Sequence, residues 1–297
     1  MASPGAVNKN IVLPNGINIF YREAGDSSKP TILLLHGFPS SSHQYRNLIP
    51  QLAGSYHVIA PDMPAFGFTV VPESLQFEYT FANLTTIMSA FLDVLSISKF
   101  SVYVFDYGAP VAWRLALQRP KSITTVISQS GNAYTDGLGE FWDPLKAYWA
   151  ATGAEEQTIR ETIRKNFLNL EATKGQYTTG TLANKLDLIA PESYYLDYSL
   201  FSSTPGNADI QLDLLKDYRT NVELYPQFQE YFHRSQIPLL AIWGKNDPFF
   251  IPAGAEAFKK DLPNAVVEFL DAGHFAVETH TEEIAAKMLA FLRANGV

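Results

Sequence analysis

Along the chain, short apolar runs that stop at glycine or a polar residue alternate with stretches whose apolar positions recur every three or four residues. "TILLLHG" (31–37), "SYHVIAPD" (55–62), "SVYVFDYG" (101–108), "ITTVISQSG" (123–131), "IPLLAIWGKND" (237–247) and "AVVEFLDAG" (265–273) are of the first kind. Runs of this length without a polar face predict strands covered on both sides, as in a parallel sheet. "GINIFYREAG" (16–25) instead sets Ile17, Ile19 and Tyr21 against polar neighbours, which predicts a half-exposed strand near a sheet edge. The second kind predicts helices. Residues 40–54 put Tyr45, Leu48 and Leu52 on one face. Residues 81–97 do the same with Leu84, Ile87, Met88, Phe91, Leu92 and Leu95, and 282–296 closes the chain with Gly296 beyond its end. Strands alternating with such helices predict an α/β fold, a mostly parallel central sheet flanked by helices.

The alternation stops after "SQSG" (128–131) and resumes near Ile237. The intervening segment is rich in aromatics from Tyr134 to Tyr231, with helical patterns over 155–170 and 208–225. An insertion of this length predicts an inserted helical lid rather than a loop. The expected organisation is a core domain of residues 1–131 and 236–297, with a lid domain of residues 132–235. There is no internal repeat.

Composition narrows the function more than the fold. A net charge of −8 supplies no basic excess for a nucleic acid or an anionic membrane. Arg160, Arg164 and Lys165, and the pair Lys259 and Lys260, read as solvated helix faces. With no cysteine, disulfides, thiolate metal sites and thiol nucleophiles drop out. Neither a metal-ligand spacing nor a dinucleotide or phosphate-loop glycine pattern stands out, so no metal and no cofactor is expected. "MASPGAVNKNIVLPNG" lacks a basic head followed by an apolar run, and no apolar stretch approaches the roughly 18 residues of a membrane span. A cytoplasmic location is the expectation, with Asn83-Leu84-Thr85 a chance sequon. No pattern specifies an oligomeric state.

Candidate chemistry falls just past the strands, where open α/β sheets bind ligands. His36-Gly37-Phe38-Pro39 follows residues 31–35, Asp106 follows 102–105, Asp247 follows 238–243 and His274 follows 266–270. An acid at the tip of a buried strand needs partners or a task, because ionisation there is costly. Val104-Phe105-Asp106-Tyr107-Gly108 has the form of a nucleophile elbow, a sharp strand-to-helix turn presenting its central side chain. Gly108 and Ala109 let the next helix pack close, and its positive N-terminal end favours the Asp106 carboxylate. Blander roles compete: a helix cap for Asp106, a turn before Pro248 for Asp247, an exposed helix start for His280. Asp271 is a rival acid only three residues before His274, and Asn132 occupies the other place where an acid could follow a strand. His36 is expected to hydrogen-bond within its turn.

With these motifs in order, the chain resembles the α/β-hydrolase fold family, in particular its aspartate-nucleophile branch of epoxide hydrolases and haloalkane dehalogenases. The likeness runs through "LLLHGFPSSSHQYRNLIPQLAGSYHVIAPDMPAFGFT", the elbow, "IWGKNDPFF" and "LDAGHFAVETH". One departure is Ala65, at the first glycine of the usual Asp-x-x-Gly-x-Gly segment. The resemblance implies that Asp106 attacks an electrophilic carbon to form an ester, which water activated by His274 then cleaves while Asp247 orients the imidazole. It implies an oxyanion hole from the backbone N–H groups of Phe38 and Tyr107. A hydrolase acting on a small apolar epoxide is the leading expectation. Phe38 and Tyr107 replace an asparagine and a tryptophan that hold halide in many dehalogenases, and fluoroacetate enzymes carry arginines where Tyr107 and Pro110 stand. Val104, however, is dehalogenase-like. Epoxide hydrolases use two lid tyrosines, for which Tyr177 and Tyr218 are candidates, while His36, Trp142 and Phe275 are candidate substrate contacts. Haloalkane dehalogenation, ester or lactone hydrolysis and, remotely, a non-catalytic binding protein are the alternatives.

Overall fold

The computed structural model describes residues 5–297. Eight strands form one sheet: β1 (Val7–Val12), β2 (Asn18–Ala24), β3 (Thr31–Leu35), β4 (His57–Pro61), β5 (Phe100–Phe105), β6 (Ile123–Gln129), β7 (Leu239–Gly244) and β8 (Val266–Leu270). Their order is β1-β2-β4-β3-β5-β6-β7-β8. β2 runs antiparallel to both neighbours, and every pairing from β4 to β8 is parallel. This is an α/β-hydrolase architecture.

The continuous apolar runs are central strands because both of their faces are covered. On β5, Phe100, Val102 and Val104 enter one core, while Tyr103 and Phe105 enter the other. Leu33 and Leu35 against Ile32 and Leu34 divide in the same way on β3. Helix Phe81–Val94 seals the first face with Leu84, Ile87, Met88, Phe91 and Leu92, and Thr80 caps its start by accepting the Asn83 N–H. Helix Thr281–Ala294 seals the second with Ile284, Ala285, Met288 and Leu292.

Several local expectations shift. The strand expected near the edge, β2, is largely buried, because the exposed strand β1 lies outside it. The single helix expected over 40–54 becomes a short 3-10 turn, Ser42–Tyr45, and a separate turn, Ile49–Leu52. Pro50 explains the break, since it has no N–H to continue a helix but fits a first turn. The pattern over 208–225 divides at Tyr218 into helices Asn207–Asp217 and Arg219–Ser235. The second continues through Pro226, because Tyr225, Phe228 and Phe232 make one buried stripe across it. The basic cluster at Arg160 and Arg164 is tied to Asp209, with Arg160 also on Asp213, rather than simply solvated.

Between β6 and β7 the chain forms helices and turns only, the longest being Gly153–Phe167, Pro191–Ser203 and Arg219–Ser235. They reach the rim of the sheet. Asn246 Nδ2 donates to the Gly180 carbonyl at 3.0 Å, and a Cβ on Gly273 would run into the carbonyl of Thr179. Among the described residues, no helix is long and apolar enough to cross a membrane.

Candidate active site

The elbow follows from its glycines. Asp106 directly follows β5 with φ +47, in the left-handed region that non-glycine residues seldom occupy. Helix Gly108–Gln118 starts two residues later, and any Cβ on Gly108 would strike the carbonyl of Leu35. A Cβ on Gly37 would strike the Asp106 carboxylate itself. The two chain segments therefore approach closely enough for Phe38 N–H to donate to Asp106 Oδ1 at 2.6 Å. The N–H of Tyr107 also stabilises this carboxylate.

Asp106, Asp247 and His274 come together from three strand ends. His274 Nε2 lies 4.0 Å from Asp106 Oδ2, and His274 Nδ1 lies 2.9 Å from Asp247 Oδ2. Asp247 Oδ1 accepts the N–H groups of Phe249 and Phe250 at 2.8 and 3.2 Å, so the turn role and the histidine contact coexist. Burial pushes the Asp106 carboxyl up to about 6, against the opposing pull of His274 and the N–H groups of Phe38 and Tyr107. For His274, burial pulls the imidazole down, but Asp247 and then Asp106 outweigh it and leave its pKa raised.

The other expected residues divide. His36 is buried, with Nε2 accepting the Met63 N–H at 2.9 Å and Nδ1 3.1 Å from the Gly37 carbonyl. Burial pushes it down to about 4, a neutral ring that holds its turn and does not border the site. Trp142 lines the space over Asp106, but its indole N–H donates to the Phe249 carbonyl at 2.6 Å. Tyr177 is not in that wall: its hydroxyl donates to Asp197 and its ring stacks on Phe275 with centroids 3.8 Å apart. Phe275 is likewise behind the wall. Tyr218 is also behind it, buried against Trp142 and Tyr107, its hydroxyl 3.4 Å from that of Tyr225. His280 is buried at the start of the last helix, not exposed. Asp271 pairs with Lys245 at 2.8 Å, and Asn132 donates to the Tyr134 carbonyl and the Tyr225 hydroxyl.

Sequence reasoning passed over Ser130, Gln129 and Gln176. Ser130, just past β6 at φ +55, donates from Oγ to Asp247 Oδ2 at 2.7 Å. Gln129 donates to the His274 carbonyl at 2.8 Å and accepts the Tyr103 hydroxyl. Both follow an apolar run, the signal that identified the acids. Ala65 holds the left-handed φ of +78 that the missing glycine would have supplied. Gln176, one residue before Tyr177, reaches the cavity wall. The space over Asp106 is about 30 Å³, walled mainly by Phe38, Tyr107, Phe141, Trp142, Phe249 and Phe250. That leaves room for no more than a few waters, so any larger guest requires these side chains to move. A larger surface cleft beside Asp93, Ser96 and Arg119 contains no comparable set of groups.

Comparison with known proteins identifies the fold and the family. The α/β-hydrolase fold family matches residues 30–281, and the chain belongs to that family. An uncharacterized hydrolase of Saccharomyces cerevisiae is 46% identical over 287 residues, spanning 96% of this chain and 97% of its own. An epoxide hydrolase of Caballeronia sordidicola is 26% identical over 319 residues, 97% of this chain and 94% of its own. The crystal structure of the haloalkane dehalogenase DbeA from Bradyrhizobium elkani shares the fold, with a TM-score of 0.78, 22% identity, and coverage of 98% of this chain and 99% of that one. The protein is an α/β-fold hydrolase related to epoxide hydrolases and haloalkane dehalogenases.

Proposed function

We propose that Asp106 is the nucleophile of a two-step hydrolase whose substrate is a small apolar epoxide, converted to a diol. One observation carries the reading. The carboxylate stands on a left-handed elbow with Oδ1 held by the Phe38 N–H at 2.6 Å and Oδ2 facing His274, itself backed by Asp247 at 2.9 Å. In the first step Oδ2 attacks a ring carbon and forms an ester. Water, deprotonated by His274 Nε2, then attacks the ester carbonyl carbon. The oxyanion develops on Oδ1, against the N–H groups of Phe38 and Tyr107. Asp247 orients the imidazole and stabilises its charged form. The helices between β6 and β7 act as the lid, and their aromatic wall excludes bulk water.

A carboxylate suits a saturated carbon because it leaves an ester that water can cleave, whereas a serine ether would persist. Position 106 has no hydroxyl, which argues against an acyl-serine esterase. The halide reading has less support: Phe38 and Tyr107 stand where many dehalogenases hold halide with an asparagine and a tryptophan, and the Trp142 N–H is committed to a carbonyl. A binding protein would have no use for His274 and Asp247 together behind the carboxylate.

The test is His274→Gln, which stalls the second step, incubated with styrene oxide and 1-bromohexane and read by intact-mass spectrometry. A mass gain equal to the whole epoxide, absent when Asp106→Asn is added, is the expected result. A gain equal to the bromide minus hydrogen bromide, with none from the epoxide, would move the reading to dehalogenation. No adduct while turnover continues would rule out the covalent route.

A further inference from the structure

Tyr107 contributes two separate groups to the site. Its backbone N–H turns toward Asp106, while its side chain lines the space above the carboxylate. The ring is fully buried against Phe38, Phe66, Phe81 and Tyr218, at centroid distances of 6.0, 6.3, 4.9 and 5.8 Å. Its hydroxyl has no hydrogen-bond partner among the described residues. Leaving a buried donor unmade is unfavourable, and a phenylalanine would fill the same aromatic niche without that cost. No protein group in the wall takes up this hydroxyl, which leaves it free to pair with an atom that the substrate brings.

Opening a C–O bond creates such a partner. We propose that the Tyr107 hydroxyl is the proton donor to the oxygen expelled when Asp106 attacks. This deepens the reading of Asp106 as nucleophile and rests on it. The neighbouring donors are committed: Trp142 N–H to the Phe249 carbonyl, Tyr177 to Asp197, and the Phe38 N–H to Asp106 Oδ1. Tyr218 faces Tyr225, and Gln176 carries a carboxamide, which donates a hydrogen bond but does not release a proton.

The atoms balance. Asp106 Oδ2 bonds to the ring carbon, the C–O bond breaks, and its electron pair stays on oxygen, which takes the Tyr107 proton. In the second step His274 takes a proton from water and returns it to the alkoxide released from the ester. The carboxylic acid left on Asp106 then gives its proton to the Tyr107 phenolate. Burial, followed by the charges of Asp106 and Asp217, holds the phenol well above its usual range, so it is protonated when substrate arrives. Attack cancels the Asp106 charge, which makes proton release easier at the moment it is needed. The substrate class that follows is a strained cyclic C–O electrophile, since a departing halide needs no proton.

The test compares His274→Gln with His274→Gln/Tyr107→Phe, timing the styrene oxide adduct by quenched intact-mass measurement in H2O and D2O. Loss of one preorganised donor should slow ester formation by about 100-fold or more. The solvent isotope effect on ester formation, measurable without touching Tyr107, should be present in the first protein and absent in the second. Equal rates would overturn the proposal, as would a slowed rate with the isotope effect intact, which would point to another donor. If His274→Gln itself takes no adduct while the unsubstituted enzyme turns styrene oxide over, the nucleophile reading fails, and the Tyr107 proposal falls with it. Matching thermal melts exclude misfolding of the phenylalanine variant.

Discussion

Asp106 and Asp197 are both buried carboxylates beside the turn that begins at Phe38, yet they are treated differently by the sheet rim and by the inserted helices. Asp106 is met by N–H groups and by His274, and its pKa is held to about 6 despite burial. Asp197, on helix Pro191–Ser203, meets the Tyr177 hydroxyl and the field of Glu278, which is itself clasped by Arg46 at 2.8 Å through both oxygens. Burial therefore drives the Asp197 carboxyl far up, and one of its oxygens has no partner among the described residues. Burial is common to both; the partners decide whether the acid is held ready for the role proposed for Asp106 or, with its pKa raised further, ties two helices together.

Substitution of each acid separates the two roles. Asp106→Asn should cut turnover by about ten-thousand-fold or more, read by steady-state kinetics. The same change should stabilise the fold at pH 7. An acid whose folded pKa is raised, here from 3.8 to about 6, loses stability as pH climbs through that window, because the folded state binds the extra proton. Removing the charge restores about 1–3 kcal/mol, a shift of several degrees in a thermal melt. Asp197→Asn should leave turnover near its starting value and flatten the stability loss that begins as pH rises above the ordinary carboxylate range.

Asp247→Asn is expected to lower turnover by about a thousand-fold or more, because the imidazole loses its orienting carboxylate. The ester should then accumulate on Asp106, visible by intact mass. The pH profile of kcat/KM should rise and level off above about 6, as Asp106 ionises. Its apparent value belongs to the Asp106–His274 pair and not to either group alone.

Tyr177→Phe leaves Asp197 without its phenol and should cost about 1–3 kcal/mol in denaturant unfolding, with a smaller effect on turnover. Ser130→Ala should be the mildest change, about tenfold in turnover, since Asp247 keeps its N–H donors from Phe249 and Phe250.

The same contrast explains what could be read from the chain. Central strands such as β3 and β5 are legible because cover on both faces leaves an unbroken apolar run. Asp106, Asp247 and His274 stand immediately after such runs, and the structure brings them within contact distance. The edge strand β1 is not legible, since its residues are exposed and show no alternation. The inserted helices hide more. On helix Leu170–Thr178, Gln176 faces the cavity while Tyr177, about 100° around the helix, faces Asp197. Which of the two lies over Asp106 depends on how the helix is rotated, and "LEATKGQYT" has no apolar stripe strong enough to set that rotation. Aromatics at helical spacing serve core and cavity alike, so their presence could not distinguish Trp142 from Tyr218.

The covalent role of Asp106 is tested most directly by a single turnover in water enriched in oxygen-18, with enzyme in excess over styrene oxide. If Asp106 attacks, the first diol carries unlabelled oxygen from its carboxylate, and the peptide containing Asp106 gains one heavy oxygen. A diol labelled in the first turnover, with that peptide unchanged, would mean that water attacks the substrate directly and that the carboxylate never bonds to carbon.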